Sequence, residues 1–181
     1  LDEHLIKSLL DQEAPIDIFG VGTSLVTGKP DAALDGVYKL SHFKAQPRIK
    51  LSETISKVTL PHKKQVYRLL DPSGNFFGAD VICMSGEENP EMMYHPYDPL
   101  KFRFIGDMEK EELLALVMED QKRQAARKNV QEIKEFSSAR LAKLPTEYKR
   151  FFNPHIYKVG ISEKLRNERD ALIAEHKNKR S

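Results

Sequence analysis

Asp17-Ile18-Phe19-Gly20-Val21-Gly22-Thr23-Ser24-Leu25 is a short apolar run that breaks into two glycines, a threonine and a serine. Residues 16–19 have the length and composition of a parallel strand buried on both faces. Glycine at alternate positions lets the backbone turn sharply and approach a ligand with no Cβ in the way. Successive N–H groups at such a strand end form an anion nest, strengthened where a helix starts behind them. Upstream, apolar residues at 1, 5, 6, 9 and 10 form a helical stripe that runs to about Gln12, before Pro15. Helix, short buried strand and glycine loop is the alternation of an α/β barrel or doubly wound sheet, where ligand loops lie at the C-terminal ends of strands. The residues alone leave two readings of the loop open, a phosphate grip or a tight strand-to-helix connection with no ligand. The chain also opens at Leu1 inside a helix with no capping residue ahead of it, so a piece lacking its N-terminal part is expected.

Two familiar phosphate motifs are excluded by spacing. A P-loop has four residues between its first glycine and the Gly-Lys pair. Here five residues separate Gly22 from Gly28, and Pro30 follows Lys29. The third glycine of a dinucleotide fingerprint would fall at Leu25. Bulk properties narrow the class further. With 40% hydrophobic and 31% charged residues in 181, the chain has the balance of one globular domain or a small pair. A net charge of +2 demands neither nucleic acid nor a membrane surface, and no apolar run approaches the ~20 residues of a membrane helix. The basic run 122–128 reads as a solvated face, without the interleaved aromatics that stack bases. A single cysteine, Cys83, forms no internal disulfide and suits a reducing, cytoplasmic setting.

Beyond the opening unit the pattern changes. Residues 37–40, 48–51, 65–70 and 76–84 have strand composition, and Asp71-Pro72-Ser73-Gly74-Asn75 is a turn cluster joining the last two into a hairpin. Residues 87–91 are a polar break, and two prolines exclude helix from 92–99. Residues 113–118 read as strand with a turn at 119–122. Asn129 and Glu132 have capping-box spacing ahead of a helix whose inner stripe is Ile133, Phe136, the Arg140 stem, Leu141 and Leu144. Ser162 caps a last helix with Leu165, Leu172, Ile173 and His176 on one side, and 177–181 is a basic, frayed tail. The strands are expected to pair antiparallel, in a layer distinct from the opening unit. His4, His42, His62, His95, His155 and His176 show no metal-ligand spacing with one another or with Cys83. Asp31, Asp35, Asp98 and Asp107 show no pairing for acid–base work, so no catalytic residue is assigned.

Specific stretches carry a resemblance. The glycine loop followed by Gly36-Val37-Tyr38-Lys39-Leu40, then Pro47-Arg48-Ile49-Lys50-Leu51-Ser52-Glu53 and Lys63-Lys64-Gln65-Val66-Tyr67-Arg68, resembles nicotinate phosphoribosyltransferases. So does the ending, Leu144-Pro145-Thr146-Glu147-Tyr148-Lys149-Arg150 and Asn153-Pro154-His155-Ile156-Tyr157. At Pro61-His62-Lys63 the chain has His where that family commonly has Gly, which is expected to alter a turn on the outer domain. Family members are considerably longer, so the resemblance implies a C-terminal portion of α/β (α+β) class. Residues 1–35 would be the last helix and strand of an irregular α/β barrel of the type II phosphoribosyltransferases. Residues 36–181 would be the C-terminal β-rich and helical part of the outer domain, which the missing N-terminal part completes. The implied reaction joins nicotinate to phosphoribosyl pyrophosphate with ATP hydrolysis. ATP and Mg2+ would serve the full enzyme and not this piece, and the transiently phosphorylated histidine would lie upstream. Gly20, Gly22, Thr23 and Ser24 match the family's grip on the substrate 5′-phosphate. A homodimer is compatible with the family. A nicotinamide- or quinolinate-type phosphoribosyltransferase and a stand-alone phosphate-ligand or interaction module are the competing expectations.

Overall fold

The computed structural model describes residues 1–29, 32–33 and 36–178. Asp31, Asp35 and the last three residues of the basic tail lie outside that set. The chain forms two compact units, Leu1–Tyr38 and Lys39–Ser181.

In the first unit, α1 (Glu3–Asp11) presents the expected stripe, and α2 (Thr23–Thr27) follows the glycine loop. Two expectations fail here. The first helix is capped: Asp2 accepts a 2.9 Å hydrogen bond from the Leu5 amide, so a residue read as helix interior is its N-cap. Residues 16–19 are not a strand, and Ile18 is 87% exposed. A buried parallel strand exists only between hydrogen-bonded neighbours with helices over both faces. Among the described residues this stretch has neither, and none of the described residues of 1–38 is buried.

The second unit is built on a six-stranded mixed sheet. Its spine is the expected hairpin of β3 (Lys64–Leu70) and β4 (Phe76–Met84). Asp71 closes the turn by accepting from the Ser73 and Asn75 amides, with Gly74 at φ 76°. Residues 37–40 and 48–51 form no strands. Instead, two-residue strands β1 (His42–Phe43) and β2 (Gln46–Pro47) flank a turn in which Lys44 and Ala45 both have positive φ. Next come β5 (Met92–Tyr94), β6 (Phe102–Phe104) and β7 (Glu109–Glu112), all antiparallel to their neighbours. Strand therefore falls at 109–112 and not at 113–117, and the apolar side chains 114 and 116–118 stay exposed. The expected turn there forms between β8 (Met118–Glu119) and β9 (Lys122–Arg123), through Asp120 and Gln121 at positive φ.

The expected strands that form pair antiparallel, but the sheet is made mixed by β10 (Lys158–Ser162), which sequence patterning did not reveal. It lies between β4 and β5, parallel to the first and antiparallel to the second, giving the order β6-β5-β10-β4-β3-β7. Ser162 ends this strand and caps α4 (Glu163–Asn178), its Oγ accepting from the Leu165 amide at 3.2 Å. Two glycines make room at the centre. A Cβ at Gly160 would collide with the Met93 side chain, and one at Gly78 (φ 86°) with the Tyr148 ring. One face of the sheet buries Leu69, Ala79, Val81, Cys83, Met93 and Ile105.

The other face holds a buried polar cluster. Arg68 Nε and Nη2 each donate to an Asp80 carboxylate oxygen at 3.0 Å, and Tyr157 Oη donates to Oδ1 at 2.7 Å. The Phe76 ring is stacked by two guanidinium groups, Arg68 at 4.6 Å and Arg140 at 4.5 Å. Arg140 comes from α3 (Val130–Ala142), which has the expected capping box between Asn129 and Glu132. Only part of its expected stripe is used: Arg140 pairs with Glu111, while Ile133, Phe136 and Leu141 remain mostly exposed. Elsewhere, His62 takes φ 67°, the region a glycine enters freely, and its ring lies 3.2 Å from Glu168. Lys64 Nζ donates to three carbonyls of residues 60–62 and fixes that turn.

Asp80→Ala leaves the Arg68 guanidinium buried without its carboxylate, so it is expected to cost about 3 kcal/mol or more in denaturant unfolding. Arg68→Met combined with Asp80→Leu should recover most of that loss. Burial, with Glu87 nearby, pushes the Cys83 thiol up to about 12 from its ordinary 9.0. A raised folded-state pKa means the native state holds the proton more tightly. This contribution is complete below about pH 9 and is lost as pH rises toward 12. Melting temperatures of Cys83→Ala should therefore fall less steeply across that window than those of the parent, and the native thiol should react with a thiol reagent only on unfolding.

Candidate functional site

The loop 20–24 is a continuous backbone bend that runs into α2. Gly22 is the N-cap of that helix, with its carbonyl accepting from the Val26 amide at 3.0 Å and no side chain capping the first turn. By helix geometry the first-turn amides, at Thr23, Ser24 and Leu25, have no intrahelical acceptor. The helix closes at Gly28 (φ 59°), with the Lys29 amide donating to the Ser24 carbonyl. Thr27 Oγ1 donates to the Thr23 carbonyl at 2.6 Å. Gly20, Gly22 and Thr23 are exposed and Ser24 is half-buried. A Cβ built at Gly20 or Gly22 meets nothing within 4 Å. The four residues singled out from sequence thus present bare backbone and two hydroxyl-bearing side chains at a helix start, an arrangement suited to an anion.

The histidines are dispersed. His95 Nδ1 accepts from the Tyr97 and Asp98 amides at 3.2 and 3.0 Å, a turn-closing role. His155 packs edge-on against Tyr148, and His176 is exposed. His42 Nδ1 is buried with no hydrogen-bond partner. Asp98 pairs with Lys101 at 2.9 Å, which holds its carboxyl below the usual carboxylate range, while Asp107 is exposed. Among the described residues no group of three His, Cys, Asp or Glu side chains could hold a metal ion.

The polar groups that sequence reasoning missed are structural. Burial and the bond to Asp80 push the Tyr157 phenol above its ordinary value, and burial lowers the Lys64 and Lys110 ammonium groups. Lys110 Nζ is spent on the carbonyls of Ile105, Gly106 and Met108. Hairpin counting would have paired Arg68 with Gly78, but a register shift between Arg68 and Leu70 puts Asp80 opposite instead.

Residues 63–169, which contain the whole six-stranded sheet, match the nicotinate phosphoribosyltransferase C-terminal domain. The chain belongs to that family. A nicotinate phosphoribosyltransferase of Caenorhabditis elegans is 34% identical over 171 residues, covering 91% of this chain and 30% of that protein. One of Bacillus subtilis is 33% identical, covering 90% and 35%. The crystal structure of human nicotinic acid phosphoribosyltransferase superimposes with a TM-score of 0.64 at 25% identity, over 78% of this chain and 27% of that one. The chain therefore spans about a third of the length of the nicotinate phosphoribosyltransferases it matches. Its mixed α/β architecture is that of the human enzyme's corresponding region.

Proposed function

We propose that this chain is the C-terminal portion of an enzyme that joins nicotinate to phosphoribosyl pyrophosphate, giving nicotinate mononucleotide and pyrophosphate in NAD salvage. The observation that carries the reading is the family match over 63–169, together with relatives of that one activity about three times as long. In this reading residues 1–35 end the α/β barrel and 36–181 belong to the outer domain. The missing N-terminal part is the chain's first partner, and it supplies the phosphorylated histidine and the base contacts. A homodimer and a cytoplasmic setting are part of the same proposal. No helix among the described residues is long and apolar enough to cross a membrane.

The chemistry assigns the glycine loop a limited part. The bond from ribose C1 to pyrophosphate breaks as the nicotinate ring nitrogen attacks C1. The 5′-phosphate does not react, and gripping it positions the reacting carbon. Amides at the start of α2 donate to that phosphate, Gly20 and Gly22 let it approach, and Thr23 or Ser24 adds a hydroxyl. ATP and Mg2+ would supply the energy coupling. Among the described residues no group of three His, Cys, Asp or Glu side chains could hold the metal ion, and in this reading ATP and Mg2+ belong to the rest of the enzyme.

A Cβ at Gly22 has open space in this chain, but the backbone there (φ -105°, ψ -99°) lies outside the regions a β-branched residue adopts, so Gly22→Val is read by the contrast between the two substrates. In the complete enzyme it is expected to raise KM for phosphoribosyl pyrophosphate about tenfold or more, equivalent to ~1.4 kcal/mol, with little change in KM for nicotinate. Wild-type kinetics toward both substrates would remove the phosphate role. Residues 1–181 alone should make no nicotinate mononucleotide.

A further inference from the structure

The turn at residues 59–62 is tied to several parts of the larger unit, and one of those ties depends on charge. Backbone bonds hold it to the segment ahead of it. The Thr59 amide donates to the Lys50 carbonyl at 3.2 Å, and the His62 amide to the Ser41 carbonyl at 2.8 Å. Lys64, at the start of β3, holds it by its three carbonyl contacts, the shortest to His62 at 2.6 Å. The remaining tie is the His62 side chain, whose Nε2 lies 3.2 Å from Oε2 of Glu168 in the middle of α4. His62 stands at φ 67°, where a side chain is sterically disfavoured and a glycine is not. Backbone strain of this kind persists only where the surroundings over-determine it. A glycine could make the same turn and both amide bonds. What it could not supply is the contact with Glu168.

The helix α4 is lightly anchored, with Leu165 its one buried residue. Its first turn is held by Ser162 Oγ, by Tyr94 Oη donating to Glu163 at 3.1 Å, and by Arg166 lying over the Tyr94 ring at 3.7 Å. Glu168 then meets His62, and Arg169 donates to the Pro96 carbonyl at 2.6 Å. About two turns further on, His176 and Lys177 form one wall of a cleft of about 690 Å³. Residues 49–53 form the other wall. Because the turn 59–62 is bonded to Lys50, the His62–Glu168 contact joins the two walls of that cleft.

The contact changes strength with a proton. The charged groups set against His62 are the Glu168 carboxylate from α4 and the Lys64 ammonium from β3, which is occupied by the turn carbonyls. A neutral imidazole protonated at Nε2 gives Glu168 an ordinary hydrogen bond. Taking up a further proton at Nδ1 makes the ring a cation, and the same bond becomes charge-assisted and roughly twice as strong. Histidine is the side chain whose charge ordinarily changes between about pH 5 and 8. We propose that His62 is a proton-operated latch between α4 and the segment 41–62. It is tight when the imidazole is charged and slack when it is neutral, and it sets how freely the cleft between residues 49–53 and the end of α4 opens.

Amide hydrogen exchange of the complete protein, corrected at each pH for intrinsic chemical rates, tests the latch. Peptides from residues 163–178 should be about threefold better protected at about pH 5.5 than at about pH 8, the scale of a half-exposed ion pair. Peptides from α3 are the reference and should show no such change. Glu168→Gln keeps an acceptor and removes the charge from a side chain that is 46% exposed, so folding is not at issue. It should abolish the pH difference and leave protection at about pH 8 unchanged. His62→Gly, which suits the local backbone, should abolish the difference as well. Protection of the parent that does not vary with pH, an equal change in α3, or a pH difference that survives in either variant would each overturn the proposal. So would an equal loss of protection in Glu168→Gln at both pH values, which would mark a fixed structural bond.

Discussion

The insertion of β10 between β4 and β5 is the constraint on which the larger unit depends. Two strands close in sequence cannot pair with each other because the last strand of the chain lies between them. The hydrogen-bonded ladder is therefore continuous only when residues 158–162 have arrived from far along the chain. Long-range pairing of this kind carries its loop-closure entropy before any contact offsets it. Several features converge on that one strand. Gly160 admits Met93, Ser162 starts α4, and Ser162 Oγ donates to Glu87, which also receives the Met84 amide. Tyr157, just ahead of the strand, reaches Asp80 on β4.

The Asp80 cluster shows why this arrangement is specific as well as stable. A buried carboxylate shared by a bidentate guanidinium and a phenol is satisfied in only one register. Sliding β10 or β3 by one residue would turn those groups to the opposite face of the sheet. The result would be uncompensated polar groups in the core, which cost more than the correct pairing contributes. Phe76 adds to this by lying between Arg68 and Arg140, so the hairpin and α3 are located by the same ring.

Apolar surface is distributed in a way that agrees with a part of a longer protein. The helix α3 carries a sound capping box yet leaves Ile133, Phe136 and Leu141 largely exposed, and residues 114 and 116–118 form an open apolar run. Helices are stabilised in proteins chiefly by packing of an apolar face. A well-capped helix with that face open is the local signature of packing that the rest of the enzyme supplies in the proposed reading.

Local chemistry was legible in the sequence. The Asp71–Asn75 turn and its two strands, the Asn129–Glu132 box and the Ser162 cap could all be read because each is decided by residues a few positions apart. The family was legible for the same reason, as ordered short stretches, and the glycine loop as a bare bend leading into a helix. The position of β10, the bulge that sets Asp80 against Arg68 and the exposure of Ile18 were not. Each of these depends on which distant segment lies alongside. A five-residue strand with a central glycine has no pattern of its own, and residues 16–19 read as buried strand but find no partner among the described residues. By itself the sequence determined the Asp71–Asn75 turn, the Asn129 and Ser162 caps, the family and the candidate phosphate loop. The tertiary structure alone decided which strands are neighbours and which apolar faces remain open, because pairing and burial belong to contacts between segments and not to any segment by itself.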